Sequence, residues 1–203
     1  MIALVDYGLG NIQAFANIYK YLGIDFIIAK TTADIYSSSR LILPGVGSFD
    51  WAITKLQESG LREALDNQVL VAKKPVLGIC VGMQIMARSS EEGILPGLGW
   101  INAKVKKLKH KLNYDLLPLP HMGWNEVVNL RSDPLFFDIE APIFYFLHSY
   151  YIKTENDKNV IATTNYGNIF TSAIRSENIY GTQFHPEKSH GWGVQLLNNF
   201  AKF

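Results

Sequence analysis

PVLGICVGMQ, residues 75–84, carries Cys80, the only cysteine in a chain of 203 residues. Its first part, PVLGIC, reads as a short buried strand, and VGMQIMA after the cysteine suits a helix. Gly78 and Gly82 stand two residues either side of Cys80, giving G-x-C-x-G, the form of a nucleophile elbow with cysteine in the serine position. Glycines there let the chain turn sharply from strand to helix without a Cβ clash. A cysteine after an apolar strand is either a small buried hydrophobe or a reactive thiol. At a helix N-terminus the dipole and free N–H groups favour the thiolate, and the Val81 N–H would point toward an oxyanion formed beside the sulfur.

Working outward, Ile2–Asp6 reads as a buried strand, and Ile12, Phe15, Ala16, Tyr19 and Leu22 repeat at helical spacing up to a stop at Gly23. IDFIIA and RLILPGVG are the second and third strands, the latter cut off by Pro44, Gly45 and Gly47. Trp51, Leu56, Leu61, Leu65 and Val69 predict one or two helices before the Cys80 strand. Strand–helix alternation of this kind implies an α/β fold with a mostly parallel central sheet flanked by helices. Chemistry collects at the carboxyl ends of such strands, where Gly8, the PGVG loop and Cys80 all fall. The second half differs. IFYFLHSYYI, NVIATTNY, IFTSAI and IYGTQF are short, aromatic and β-branched, and predict a largely antiparallel β section added to the same sheet system. Trp192, Leu196, Leu197 and Phe200 predict a closing helix. With no repeat, linker or low-complexity stretch, the expectation is a single domain over residues 1–203.

A thiol nucleophile needs a base, and five histidines compete. His110 lies in the basic run KVKKLKHK, which alternates with Val105 and Leu108 and reads as the solvated face of a strand. His190 opens the last helix. His121 in PHMGWN and His148 in FLHSYY are either site residues or satisfied structural histidines. His185 begins HPE directly after the strand YGTQF, and residues two apart in an extended segment share a face. Glu187 can therefore hold its imidazole, and Cys80, His185 and Glu187 are read as nucleophile, base and orienter. PGVG, residues 44–47, is the expected second oxyanion donor, although its glycines also suit a plain turn. Gln84, four residues after Cys80, should share the helix face beside the sulfur and is a candidate contact for a substrate amide or carboxylate. Glu92 in SSEEG is a candidate for binding an ammonium group, or else an exposed acid.

Bulk properties exclude several classes. A net charge of +1 gives no electrostatic reason to expect nucleic acid or a membrane surface as partner. One cysteine makes no internal disulfide, which fits a reducing cytosol, and the N-terminus lacks a basic n-region, so a cytoplasmic location is expected. No apolar run approaches the roughly 18 residues of a membrane span.

PGVGSF, GICVGMQ and QFHPEKS resemble the three signatures of class I, triad-type glutamine amidotransferases. DYGLGN, PHMGWNEV and FLHSYY are narrower, and with the length they resemble the glutaminase subunits of imidazole glycerol phosphate synthases. The resemblance implies that Cys80 attacks the side-chain amide of glutamine, with Gly47 and Val81 at the oxyanion hole and no cofactor or metal. Gly45, Gln84, Glu92, His148 and Ser149 would then surround the glutamine. It further implies a (β/α)8-barrel cyclase partner in a 1:1 heterodimer, which receives the ammonia and makes imidazole glycerol phosphate and an aminoimidazole carboxamide ribotide in histidine synthesis. Met122, Trp124 and Lys188 would face that partner, the HMGW segment being read as an apolar loop. Trp124 is alternatively a core anchor. Val81 stands where the family more usually has Leu, harmless if only its N–H matters, and the approach KHKLNYDLLPL and the tail HGWGVQLLNNF also depart from the pattern. Those departures leave open a paralogue that supplies ammonia to a sugar amidotransferase of surface-polysaccharide synthesis. More remote is a partner-independent cysteine peptidase or γ-glutamyl hydrolase, and a binding module without catalysis would require loss of a triad residue.

Overall fold

A computed structural model describes residues 1–109, 111–112 and 115–203. His110, assigned above to a solvated face, lies outside the described residues. The first half alternates as expected: β1 (Ile2–Val5), α1 (Ile12–Tyr21), β2 (Phe26–Ala29), α2 (Thr32–Ser37), β3 (Arg40–Gly45), α3 (Phe49–Glu58), α4 (Arg62–Asp66), β4 (Val76–Cys80) and α5 (Val81–Gln84). α1 begins where the Asn11 side chain accepts from the Ala14 N–H, buries Phe15, Ala16 and Tyr19, and is followed by Gly23 at φ +66°. α2 was not expected from its polar sequence. Its determinant is a capping box, in which the Thr31 hydroxyl accepts from Asp34 N and the Asp34 carboxylate from Thr31 N.

The strands that follow are short β5 (Ser89–Ser90), β6 (Ala103–Lys107), β7 (Lys111–Leu112), β8 (Asp115–Leu116), β9 (His121–Glu126) and β10 (Val128–Asn129). Then come β11 (Ile143–His148), β12 (Tyr150–Thr154), β13 (Val160–Tyr166), β14 (Asn168–Ser176), β15 (Ile179–Thr182) and the closing helix α6 (His190–Lys202). The central sheet has eight strands in the order β10-β13-β14-β15-β4-β3-β1-β2. From β2 to β15 neighbours are parallel, and from β15 to β10 they are antiparallel. β1, β3 and β4 are buried on both faces, which explains their near-continuous apolar sequences.

Two stretches differ from expectation. IFYFLHSYYI is not one strand: it breaks at Ser149, so that β11 pairs with β9 and β12 with β6, both outside the central sheet. HMGWNE is the strand β9 rather than a loop, antiparallel to β11 with Met122 opposite Leu147 and Trp124 opposite Tyr145.

The topology brings the ends of the chain's two halves together. β15 returns parallel to β4 with Thr182 in register with Ile79, so the segment after Thr182 runs beside Cys80. Within that segment Gln183 and His185 lie toward the site, while Phe184 is fully buried and stacks on Phe144 at 3.9 Å between centroids. Removing the Phe184 ring would cost about 3–5 kcal/mol.

Candidate active site

The elbow is built by close approach. A Cβ on Gly82 would lie 1.9 Å from the Leu43 carbonyl oxygen, and one on Gly78 would lie 2.7 Å from Met83 Cα. Only glycine lets α5 sit this tightly on β3 and β4. Between them Cys80 takes φ +53°, a left-handed backbone that non-glycine residues adopt rarely and mostly under constraint. α5 is a single turn, shorter than the predicted helix, so no extended helix dipole points at the Cys80 sulfur, and what surrounds it is mostly side chains.

Those side chains line one cavity of about 310 Å³ that contains Cys80, His185, Gly47, Val81, Gln84 and Glu92 in its wall, together with His148, Ser149 and Lys188. His185 Nδ1 lies 2.8 Å from Glu187 Oε1, both side chains being buried. Burial disfavours a charge on this imidazole, but the Cys80 sulfur and Glu187 outweigh it and hold His185 well above the ordinary histidine value. The second Glu187 oxygen is buried without a partner among the described residues, so the carboxylate has the imidazole as its main compensation. The turn carrying His185 is fixed from outside: its N–H donates to Tyr145 O, and Ser189 Oγ donates to its carbonyl while accepting from Tyr145 N.

The other expected site residues divide. Gln84 is 2% exposed, and its amide nitrogen already donates to Tyr150 O (2.9 Å) and Gln183 Oε1 (3.0 Å), so only its oxygen is left to meet a substrate. One Glu92 oxygen accepts from the Phe49 N–H at the start of α3. Gly45 does not line the cavity: it pairs in register with Cys80, and a Cβ there would lie 2.2 Å from Gly82 N, so its role is packing. His148 belongs to a neutral chain. Its Nδ1 donates to Tyr150 O at 2.8 Å, which leaves Nε2 to accept from His121 Nδ1 at 3.0 Å, and Asn125 Nδ2 donates to His121 Nε2 at 3.2 Å. Burial lowers His121 to about 4 and His148 to about 3, so neither serves as a base near neutrality. The residue that sequence reasoning missed is Gln183, whose amide nitrogen lies 3.6 Å from Cys80 Sγ. Its signal was available, since it stands two residues before His185 on the same extended face.

Trp124 and Met122 are 44% and 66% exposed, so Trp124 is not a core anchor. The Trp124 ring stacks on His190 and meets Tyr145 edge-on, and the Lys188 ammonium lies over the Tyr145 ring, 5.5 Å from its centre. Lys188 therefore joins the exposed β9–β11 face to the cavity.

The family profile described as glutamine amidotransferase class-I matches residues 3–202. The chain belongs to that family. As a class-I amidotransferase it is 54% identical over 202 residues to the imidazole glycerol phosphate synthase subunit HisH of Leptospira interrogans, covering 99% of each chain. To the protein of the same name from Bdellovibrio bacteriovorus it is 50% identical over the whole of both chains. Among solved structures, a putative GMP synthase subunit from Thermoplasma acidophilum superposes with a TM-score of 0.73 at 25% identity, covering 98% of this chain and 91% of that one. Its amidotransferase architecture is thus the mixed sheet described above. No helix among the described residues is long and apolar enough to cross a membrane.

Proposed function

We propose that the chain is the glutaminase subunit of an imidazole glycerol phosphate synthase and works in the cytoplasm as one half of a heterodimer. The observation that carries the chemistry is the convergence of Cys80 and the His185–Glu187 pair on one cavity. In this reading the Cys80 thiolate attacks the carboxamide carbon of glutamine, and the oxyanion is met by the N–H groups of Gly47 and Val81. The C–N bond breaks as the His185 imidazolium gives its proton to the leaving nitrogen, releasing ammonia and leaving a glutamyl thioester. Neutral His185 then takes a proton from water as the water attacks the thioester. Collapse of that intermediate breaks the C–S bond and frees glutamate, and the sulfur leaves as thiolate beside the His185 imidazolium, which restores the starting pair. Glu187 keeps the imidazole oriented and balances its charge throughout.

The remaining wall offers contacts for the substrate: Glu92 and the Gln84 oxygen as acceptors for its ammonium and carboxamide N–H groups, and Ser149 as a donor to its α-carboxylate, with the His148 ring, both nitrogens already committed, serving as wall. Ammonia released in water would be protonated and lost, so a dry exit matters. Met122, Trp124 and Leu147 form an exposed apolar face that meets the cavity at Lys188, which supports docking of a barrel cyclase there, in a 1:1 pair. The oxyanion loop reaches its productive arrangement only on docking, since a glutaminase active alone would waste glutamine.

The test is glutamate and ammonia release by the purified chain, alone and with the barrel cyclase of the same organism plus its nucleotide ligand. Strong activation that vanishes in Cys80→Ala is the expected result. Activation by a sugar amidotransferase instead of the cyclase would keep the chemistry and change the client. Full turnover by the isolated chain would overturn the gated loop.

A further inference from the structure

Cys80 Sγ has two hydrogen-bonding neighbours besides the base, and they favour opposite protonation states. The Leu147 carbonyl at 3.9 Å can only accept, so it weakly favours the thiol. The Gln183 amide nitrogen at 3.6 Å can only donate, so it favours the thiolate. Which end of the Gln183 amide faces the sulfur is fixed by its other end, where Oε1 accepts from Gln84 Nε2 at 3.0 Å. Gln84 in turn is held by Tyr150 O, and that carbonyl also accepts from the neutral His148. Gln183 is fully buried and Gln84 nearly so, so water cannot replace either contact without opening the core. A donor to a buried anion is worth more than one to a neutral group.

We propose that Gln183 is the second donor to the Cys80 thiolate after His185, and that Gln84 is the positioning residue that keeps its N–H on the sulfur. This rests on the reading of Cys80 as the nucleophile. The arrangement divides the labour: His185 must release its proton to the leaving nitrogen, whereas Gln183 has no proton to lose and stays a donor through every step in which sulfur carries charge. Other titratable groups facing the sulfur are Tyr7, whose hydroxyl donates to Pro44 O, Glu187 behind His185, and Glu92 and Lys188 across the cavity.

The experiment is the pH profile of Cys80 alkylation by iodoacetamide on the intact chain, which requires no glutamine. Gln183→Met, similar in volume but without the donor, should raise the alkylation midpoint by about one unit or more. That corresponds to roughly 10-fold less thiolate at a fixed pH below it. If the Met variant does not fold, the amide resonance of the unmodified chain decides the matter. Gln84→Met should shift the midpoint the same way by less, an effect that loss of packing alone would not produce. In the unmodified chain the Gln183 side-chain amide resonance should move with thiolate formation, and not move in Cys80→Ala. Unchanged midpoints in the folded variants, or an amide signal indifferent to the sulfur, would refute the proposal. Full glutaminase activity in Cys80→Ala would instead refute the reading it stands on.

Discussion

His185 and His148 share one cavity wall and are both buried, yet the fold pushes their imidazoles in opposite directions. Burial opposes the charge on each. Around His185 it is outweighed by the Cys80 sulfur and the Glu187 carboxylate. Around His148 nothing outweighs it: one nitrogen donates to a backbone carbonyl, and the other accepts from His121. In the proposed reading, what separates the catalytic imidazole from the structural one is therefore the sign of its partners and not its depth. Both sets of partners come from backbone geometry, the HPE turn in one case and the break at Ser149 between β11 and β12 in the other.

The comparison breaks most visibly at His185. His185→Ala should lower kcat for glutamate release on the order of 10⁴-fold with the partner present, and a loss of less than 10-fold would remove it from the triad. Glu187→Gln keeps an acceptor for Nδ1 but removes the anion. Its kcat should fall about 10²-fold, and the His185 resonance should titrate at lower pH. His148→Leu should leave His121 Nδ1 without its acceptor and reduce stability by about 1–3 kcal/mol in urea unfolding at pH 7, with the triad still formed.

The smallest effect, and the sharpest, is on the pH dependence of stability. His121 and His148 have folded values below the ordinary one near 6.5, so the unfolded chain binds more protons at acid pH. Their contribution is present above about 6.5 and is lost as pH falls through about 4 and about 3. His185 is raised, so its contribution is complete below 6.5 and is lost only as pH rises through about 10. Unfolding midpoints from pH 3.5 to 10.5 should thus show an acid limb that flattens in His148→Leu and an alkaline limb that flattens in His185→Ala. A single limb flattened by both variants would contradict the division.

The elbow and the HPE pair were legible in sequence because each is local: glycines two residues from a cysteine, and an acid two residues from a histidine on an extended segment. β1, β3 and β4 were legible for a related reason, since burial on both faces leaves near-continuous apolar runs. α2 escaped because its determinant is the Thr31–Asp34 hydrogen-bond pair within an otherwise polar stretch. β9 reads as a loop in sequence because HMGWNE holds no β-branched residue and Gly123 and Asn125 flank Trp124. Gln84 lines the same cavity as Cys80, as its spacing implied. That its nitrogen is already committed to Tyr150 and Gln183 depends on residues 66 and 99 positions away, a distance no local pattern spans.

Cys80 being the sole sulfhydryl has a meaning for oxidative damage. A sulfenic acid formed there has no second cysteine to condense with, so the chain cannot store the injury as an internal disulfide. Recovery must come from thiols small enough to enter a space of about 310 Å³ by the route a small substrate would take. Injury and rescue therefore share that entrance.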